Sequence, residues 1–385
     1  MRKAGVWFLI CMLFLTACTP RIEKEEEVVR ETQESKEHAI IPKYNLSGDY
    51  YRTILPFKPG EARGLITSTV DNRLDINELE TGLMRHAQES FEPEDYYFQE
   101  GQYLKRETVI KWLDRKESTN AEGEKVGSPE GLNPPAIHGT SSKEANEKSP
   151  RYLSHILEHN YFKKNKEDKV ELAGVVIGLS LNSVHYYHQE DGYPRKYDIP
   201  NDEIVKQGNR IAEEIVKRMR KMKGLKNVPI MVALFKEQPK ESVVPGHFFA
   251  KTTVDKGETS LEKWDKINEE YILFPSDAAE KKYYDDSSKV MNFTNDVDRY
   301  FPNYVGVIGK GFYKDGQLQE LTINIPVQFY GKAEVIGFTE YVTGLIMEHF
   351  PPYISLQVYV KSIAGQESLI TREAGKEEPY VHIYR

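Results

Sequence analysis

The order strand, helix, strand occurs twice in this chain, at residues 169–235 and again at 318–363, and this repeat constrains the fold more than any other feature. Residues 170–185 are a long β-prone run interrupted by Gly174 and Gly178. A helix follows, with Asn201 as the expected N-cap and Asp202 and Glu203 in its first turn. Ile204, Ile211, Ile215 and Met219 form its apolar stripe. Lys217, Arg218, Arg220 and Lys221 crowd its last turn and Gly224 stops it, which suits the helix dipole at both ends. Residues 229–235 then read as a short buried strand. In the second unit Leu321, Ile323, Ile325 and Val327 alternate onto one strand face. The next helix, at about 332–350, ends at Pro351-Pro352, and residues 353–363 read as another strand. The expectation is an α+β fold of two related strand–helix–strand units with mainly antiparallel sheets. Thr81-Gly82-Leu83 and Thr343-Gly344-Leu345 are a short local echo between the halves.

The N-terminus sets the compartment. Arg2 and Lys3 precede an almost wholly apolar run over residues 6–17. A membrane-spanning helix needs about 20 apolar residues, so the run reads as a signal-peptide core. It ends in Leu15-Thr16-Ala17-Cys18, small residues before a cysteine, as in a lipobox. Small side chains let a signal peptidase reach the bond, and the Cys18 thiol becomes the thioether that carries diacylglycerol. The expected maturation partners are lipoprotein diacylglyceryl transferase and signal peptidase II. The expected location is the outer face of the cytoplasmic membrane. Cys11 and Cys18 are the two cysteines of the chain. Cys11 leaves with the signal and Cys18 is lipidated, so no disulfide is expected, which suits a Gram-positive surface.

Cleavage of 17 residues from 385 leaves 368, enough for two domains with real cores. Arg2 and Lys3 leave with the signal, so the net charge falls from −8 to −10. A surface this acidic excludes a nucleic-acid partner, which needs a basic footprint. It also gives no pull towards anionic lipid, so membrane attachment falls to the lipid on Cys18. Residues 18–48 are expected as a flexible acidic tether, because the seven Glu between 21 and 38 leave few apolar groups to bury. The folded part divides into 49–250 and 251–385. Asp75 with Glu78 resembles a capping box, followed by Leu79, Leu83, Ala87 and Phe91 on one helical face. Residues 94–104 alternate like a hairpin around Glu100-Gly101, and 116–150 form a long loop rich in Gly, Ser, Asn and Pro.

Several stretches resemble one family: Tyr51-Arg52-Thr53-Ile54-Leu55-Pro56, Ala62-Arg63-Gly64-Leu65-Ile66, Glu80-Thr81-Gly82-Leu83-Met84-Arg85, Phe98-Gln99-Glu100-Gly101-Gln102-Tyr103-Leu104 and Gly131-Leu132-Asn133-Pro134-Pro135. Together they are similar to the CamS sex-pheromone precursor lipoproteins over most of the chain after the tether. The resemblance implies a surface lipoprotein with two related α+β units. It also implies that a short hydrophobic peptide from the end of the signal segment is released as a conjugation pheromone. By position that peptide is Cys11, Met12, Leu13, Phe14, Leu15, Thr16 and Ala17. The family's peptides resemble Ala-Ile-Phe-Ile-Leu-Ala followed by a small residue. Leu15 matches in register, whereas Cys11, Met12 and Thr16 depart from the pattern.

The sharpest candidate for chemistry is His155-Ile156-Leu157-Glu158-His159, the H-x-x-E-H spacing of inverted zinc peptidases. On a helix its two imidazoles share a face, and a zinc-dependent cell-envelope hydrolase is the alternative function it suggests. The competing reading is a solvated helix with surface histidines. His185 and His188 sit three apart on a strand and therefore on opposite faces, which disfavours a shared metal. Asp296 and Asp298 lack the glycine and terminal Glu of a calcium loop. Tyr96-Tyr97 and Tyr283-Tyr284 offer a possible glycan-stacking surface. No nucleophile elbow, phosphate loop or dinucleotide fingerprint occurs. The expectation is a non-enzymatic body without cofactor or metal that binds an envelope ligand.

Overall fold

A computed structural model describes residues 26–31, 36–65, 71–261, 263–301, 306–329 and 331–385. The chain enters through β1 (Glu26–Glu31), β2 (Lys36–Ile41) and the short β3 (Arg52–Thr53), then runs through α1 (Ile76–Ala87), β4 (Tyr96–Glu100) and α2 (Arg106–Leu113). An excursion carries β5 (Ser118–Thr119), β6 (Lys125–Val126) and α3 (Ser142–Lys148) before the long pair β7 (Leu153–Lys164) and β8 (Lys169–Leu181). A separate hairpin, β9 (Val184–His188) and β10 (Pro194–Asp198), precedes α4 (Asn201–Met219). Strands β11 (Ile230–Lys236), β12 (His247–Val254) and β13 (Asp265–Lys266) complete the first sheet. The second unit runs β14 (Glu269–Phe274), α5 (Asp277–Lys282), α6 (Tyr284–Tyr300), β15 (Ile308–Lys314), β16 (Gln317–Pro326), α7 (Lys332–His349), β17 (Ser355–Ser362), β18 (Gly365–Arg372) and β19 (Tyr380–Ile383).

The two units share one topology. The first sheet orders its strands β4-β7-β8-β11-β12-β13, and the second orders them β14-β15-β16-β17-β18-β19. In each, the third and fourth strands are the single parallel pair, and every other neighbour in that six-strand series is antiparallel. A parallel pair needs a long crossover, and α4 and α7 supply it. The repeat is therefore legible in strand order. The Thr-Gly-Leu echo is unrelated to it, because Thr81 lies on α1 and Thr343 on α7, which hold unequal places in the two units.

The layers differ. In the first sheet Val175, Ile177, Leu179, Ile230, Val232 and Leu234 pack under α4, against Ile204, Ile211 and Ile215. The intervening residues Val176, Met231, Ala233 and Phe235 pack against Leu79, Leu83 and Ala87 of α1. Strands buried on both faces read as continuous apolar runs, as residues 229–235 do. In the second sheet Leu321, Ile323, Ile325, Leu356, Val358 and Val360 are buried against Phe293 of α6 and Phe338, Val342 and Ile346 of α7. Their neighbours Thr322, Asn324, Gln357 and Tyr359 are half-buried or exposed, giving the alternation of a sheet with one wet face.

Five local expectations are corrected. Within the expected flexible tether 18–48, residues 26–31 and 36–41 form a strand pair whose first strand adds in parallel to β8 at Lys169, Val170 and Glu171. The acidic surface conceals a period-two pattern: Val28, Ala39 and Ile41 are buried with Ile54, Tyr97, Phe162 and Val170. Arg30, also buried, donates to Gln99 Oε1 at 2.8 Å. Residues 94–104 hold the single strand Tyr96–Glu100 rather than a hairpin, and after Glu100 the backbone turns towards α2. Asp75 stands at the N-cap of α1 without capping it, because its carboxylate accepts from Arg73 Nε at 2.6 Å. The sheets divide between Lys266 and Glu269 rather than at 250, because β12 and β13 continue the hairpin begun by β11. Part of the expected loop 116–150 is also ordered, as β5, β6 and α3.

Candidate functional site

The residues tied to maturation, Cys18 with Leu15, Thr16 and Ala17, and the peptide Cys11, Met12, Leu13 and Phe14, lie outside the described residues.

His155, Glu158 and His159 lie on β7, not on a helix. Four residues along a strand span roughly 13 Å, so the imidazoles cannot share a zinc ion, and Glu158 points to the opposite face. Glu158 and His159 have structural roles. The Glu158 carboxylate accepts backbone N–H bonds from Gln102 at 3.1 Å, Tyr103 at 3.1 Å and Leu104 at 2.7 Å, which turns the chain out of β4 towards α2. Burial raises its pKa against the lowering effect of those donors. A Cβ on residue 101 would fall 2.4 Å from the Glu158 side chain, so the Glu100-Gly101 step in the motif is glycine for space. Burial holds His155 down to about 4 and His159 to about 3, both neutral at pH 7. The His159 ring packs edge-on to Phe98 with centroids 4.9 Å apart.

The other candidates also resolve into packing. His185 pairs through Nε2 with Asn146 Oδ1 at 2.9 Å, and burial, aided by Arg115 and Arg151, lowers it to about 4. His188 offers its backbone carbonyl to Ser142 Oγ at 2.7 Å. Asp296 is on α6, paired with His349 at 2.8 Å and Arg299 at 3.3 Å. Tyr97 is buried beneath the N-terminal strand pair, and Tyr283 stacks on Tyr313 at 3.7 Å between centroids. With both inner rings covered, neither tyrosine pair makes an open platform.

The Gly131-Leu132-Asn133-Pro134-Pro135 segment floors a groove. Asn133 is buried and its side chain makes four bonds: it donates to Leu113 O at 2.8 Å and Leu153 O at 2.9 Å, and it accepts from Tyr152 N at 2.8 Å and Leu153 N at 2.9 Å. One amide thus ties the end of α2, the excursion and the start of β7 together. At Gly131 a Cβ would lie 2.2 Å from Arg115 O, so the two backbones touch. Arg115 donates to Pro134 O at 3.1 Å and Ser149 O at 2.9 Å, and burial followed by the neighbouring Arg151 lowers it to about 10.

Against this floor stands the outer row of α4, and between them lies a cavity of about 530 Å³. Arg210 donates to Leu132 O at 2.9 Å and Arg218 to Glu130 O at 2.6 Å, which fixes the wall to the floor. Arg218 also bonds Glu214 at 2.8 Å and sits over Trp112 at 5.3 Å. Lys217 pairs with Glu213 at 2.6 Å. The groove thus offers alternating charge and Pro134-Pro135. Its lining contains no Ser, Cys or His, and both its carboxylates are held in ion pairs. The sequence reading had Lys217 and Arg218 only as last-turn charges. The available signal was an exposed helix face with polar residues at 207, 210, 214 and 218.

An α+β body of two units with one strand order, in which the motif segment floors a groove, defines the class of protein. The CamS sex pheromone cAM373 precursor family matches residues 57–378, and the chain belongs to that family. It is similar to the sex pheromone precursor of Lactobacillus salivarius subsp. salivarius UCC118, at 32% identity over 90% of this chain and 98% of that one, with a TM-score of 0.79. It is also similar to the C-terminal domain of the staph-cAM373 precursor of Staphylococcus aureus, at 32% identity over 80% and 96%, with a TM-score of 0.69. No curated protein matches the chain.

Proposed function

We propose that the protein is exported, cleaved before Cys18, lipidated there and held at the outer face of the membrane. The signal segment releases Cys11, Met12, Leu13, Phe14, Leu15, Thr16 and Ala17 as a hydrophobic peptide. What carries the reading is membership of a pheromone-precursor family together with Leu15-Thr16-Ala17-Cys18 at the end of a short apolar run. Among the described residues no helix is long and apolar enough to cross a membrane, so in this reading the lipid is the anchor. The body is a non-enzymatic binding module. Its ligand site is the groove of Asn133 and α4, where paired charges and a Pro-Pro edge suit an extended polar chain better than bond-breaking chemistry. The test is mass spectrometry of culture medium with and without an inhibitor of lipoprotein signal peptidase. A peptide ending at Ala17 that vanishes with the inhibitor is the expected result. A mature protein still lipid-held after Cys18→Ala would overturn the anchor.

A further inference from the structure

We propose that the body does not hang freely from its anchor but stands on the membrane on one pole, with Tyr44 and Leu46 at headgroup depth; this deepens the reading that Cys18 carries lipid and rests on it. A tether over residues 18–48 could extend roughly 100 Å, twice the roughly 50 Å width of a body of this size, and would leave every face free. The strand pair β1–β2 removes that freedom. Its core residues Val28, Ala39 and Ile41 are buried and Arg30 is held by Gln99, so the body begins at Glu26. Seven residues separate Glu26 from Cys18, and the eight steps between them reach no more than about 29 Å even when fully extended. The attachment is shorter than the body is wide, so only the surface near Glu26 can meet the bilayer.

Direction then selects the surface. Strand β1 runs parallel to β8 with Val29 opposite Lys169, so the chain enters from the end where β8 begins, beside the turn 165–168. Strand β2 returns antiparallel and ends with Ile41 opposite Glu26, at that same end. The segment leaving it carries Tyr44 and Leu46, which are 81% and 80% exposed. Two apolar side chains this exposed, next to the attachment point, suit a bilayer interface, where tyrosine is favoured. Charge adds little here, because three of the lysines at this end pair with acids: Lys163 with Asp95 at 2.7 Å, Lys164 with Asp168 at 2.9 Å and Lys169 with Glu167 at 2.7 Å. The partner is thus a phospholipid surface met through insertion rather than a field. The far pole, where β11 passes to β12 through exposed Val243, faces outward.

The experiment uses the mature lipidated protein on phospholipid vesicles. Leu46→Cys, Lys166→Cys and Val243→Cys each carry a fluorophore, read against a lipid with a headgroup-level quencher. The expected result is several-fold stronger quenching at positions 46 and 166 than at 243. It should be lost when 20 Gly/Ser residues are inserted between Cys18 and Glu26. Equal quenching at the three positions in protein that floats with the vesicles overturns the orientation and leaves the lipid anchor standing. Protein that does not float overturns the anchor and the orientation together. If Lys166→Cys is quenched and Leu46→Cys is not, the pole is right and the insertion of Tyr44 and Leu46 is wrong.

Discussion

The two units share six strands in the same order, yet their interiors differ. The first sheet is covered on both faces and buries Asn133, His155, Glu158, His159, Asn160 and Glu237. The second is covered on one face and keeps little that is polar inside it: Glu269 at its first strand, Thr339, Ser368 and Arg372. Burying polar groups costs free energy unless each finds a partner, so a core of this kind survives where something besides packing holds it. In the first unit Asn133 holds the excursion between α2 and β7, which has no counterpart of the same length between β14 and β15, while Glu158 holds the 102–104 turn and Glu237 pairs with Ser154 and Ser180. The backbone of the excursion must be satisfied by side chains, and it floors the groove. The second unit is a plain scaffold by comparison.

The largest expected effect tests that contrast at Asn133. Asn133→Ala strips partners from two carbonyls and two N–H groups in a dry site, and the expected loss is about 4 kcal/mol. Thr339→Val in the second unit removes the hydroxyl's bonds to Ser368 at 2.8 Å and to Val335 O at 2.7 Å, the latter within its own helix, and should lose about 1 kcal/mol. Denaturant unfolding of the two variants compares them. Equal losses would mean that the excursion folds independently of the first core.

Much of this contrast was open to the sequence and part was closed to it. The helices at α4 and α7 and the alternation of Leu321, Ile323, Ile325 and Val327 follow from periodicity, because burial on one stripe or face leaves a repeat in residue type. The docking of 26–41 was hidden. Only Val28, Ala39 and Ile41 lie inward, and glutamates dominate the composition that argues for disorder. His155 to His159 misled because a five-residue motif carries no information about whether it lies on a helix or a strand. The groove needs two segments some 80 residues apart, 131–135 and 207–218, and pattern within either one cannot announce their meeting.

The next effect concerns the join between the units. Arg85 of α1 donates to Glu78 at 3.0 Å and, across the boundary, to Glu269 at 3.1 Å. It also lies 4.5 Å from the centre of the Phe312 ring, and Tyr271 donates to Glu78. The side that α1 adds to the first unit thus doubles as the clasp for the second. Arg85→Ala leaves Glu269 buried with only His86 beside it, and the expected loss is about 3 kcal/mol. Calorimetry should show one transition in the parent protein and two in the variant. A single, merely lower transition would mean that the clasp is not what couples the sheets.

The smallest and sharpest test sets two buried carboxylates against each other. Burial pushes Glu237, which accepts from Ser154 and from Ser180 at 2.7 Å, up to about 7. Burial would also raise Glu269, but His86 and Arg85 outweigh it and the net direction is downward. The signs follow from linkage. At Glu237 the native state holds the proton more tightly than the unfolded chain, so its contribution falls as pH rises from about 4.5 to about 7 and is flat above; the full span is worth about 3 kcal/mol. At Glu269 the native state holds the proton less tightly, so its contribution is complete above the ordinary carboxylate pKa and is lost as pH falls below it. Buried His155, His159 and His185 weaken the parent in acid, and differences between each variant and the parent cancel them. Glu237→Gln should therefore gain on the parent between pH 5 and pH 8, whereas Glu269→Gln should be hurt most at neutral pH and least in acid. Parallel pH profiles for the two variants would mean that the polar core of the first unit and the clasp of the second obey the same electrostatics, and the contrast between the units would fail at its most exacting point.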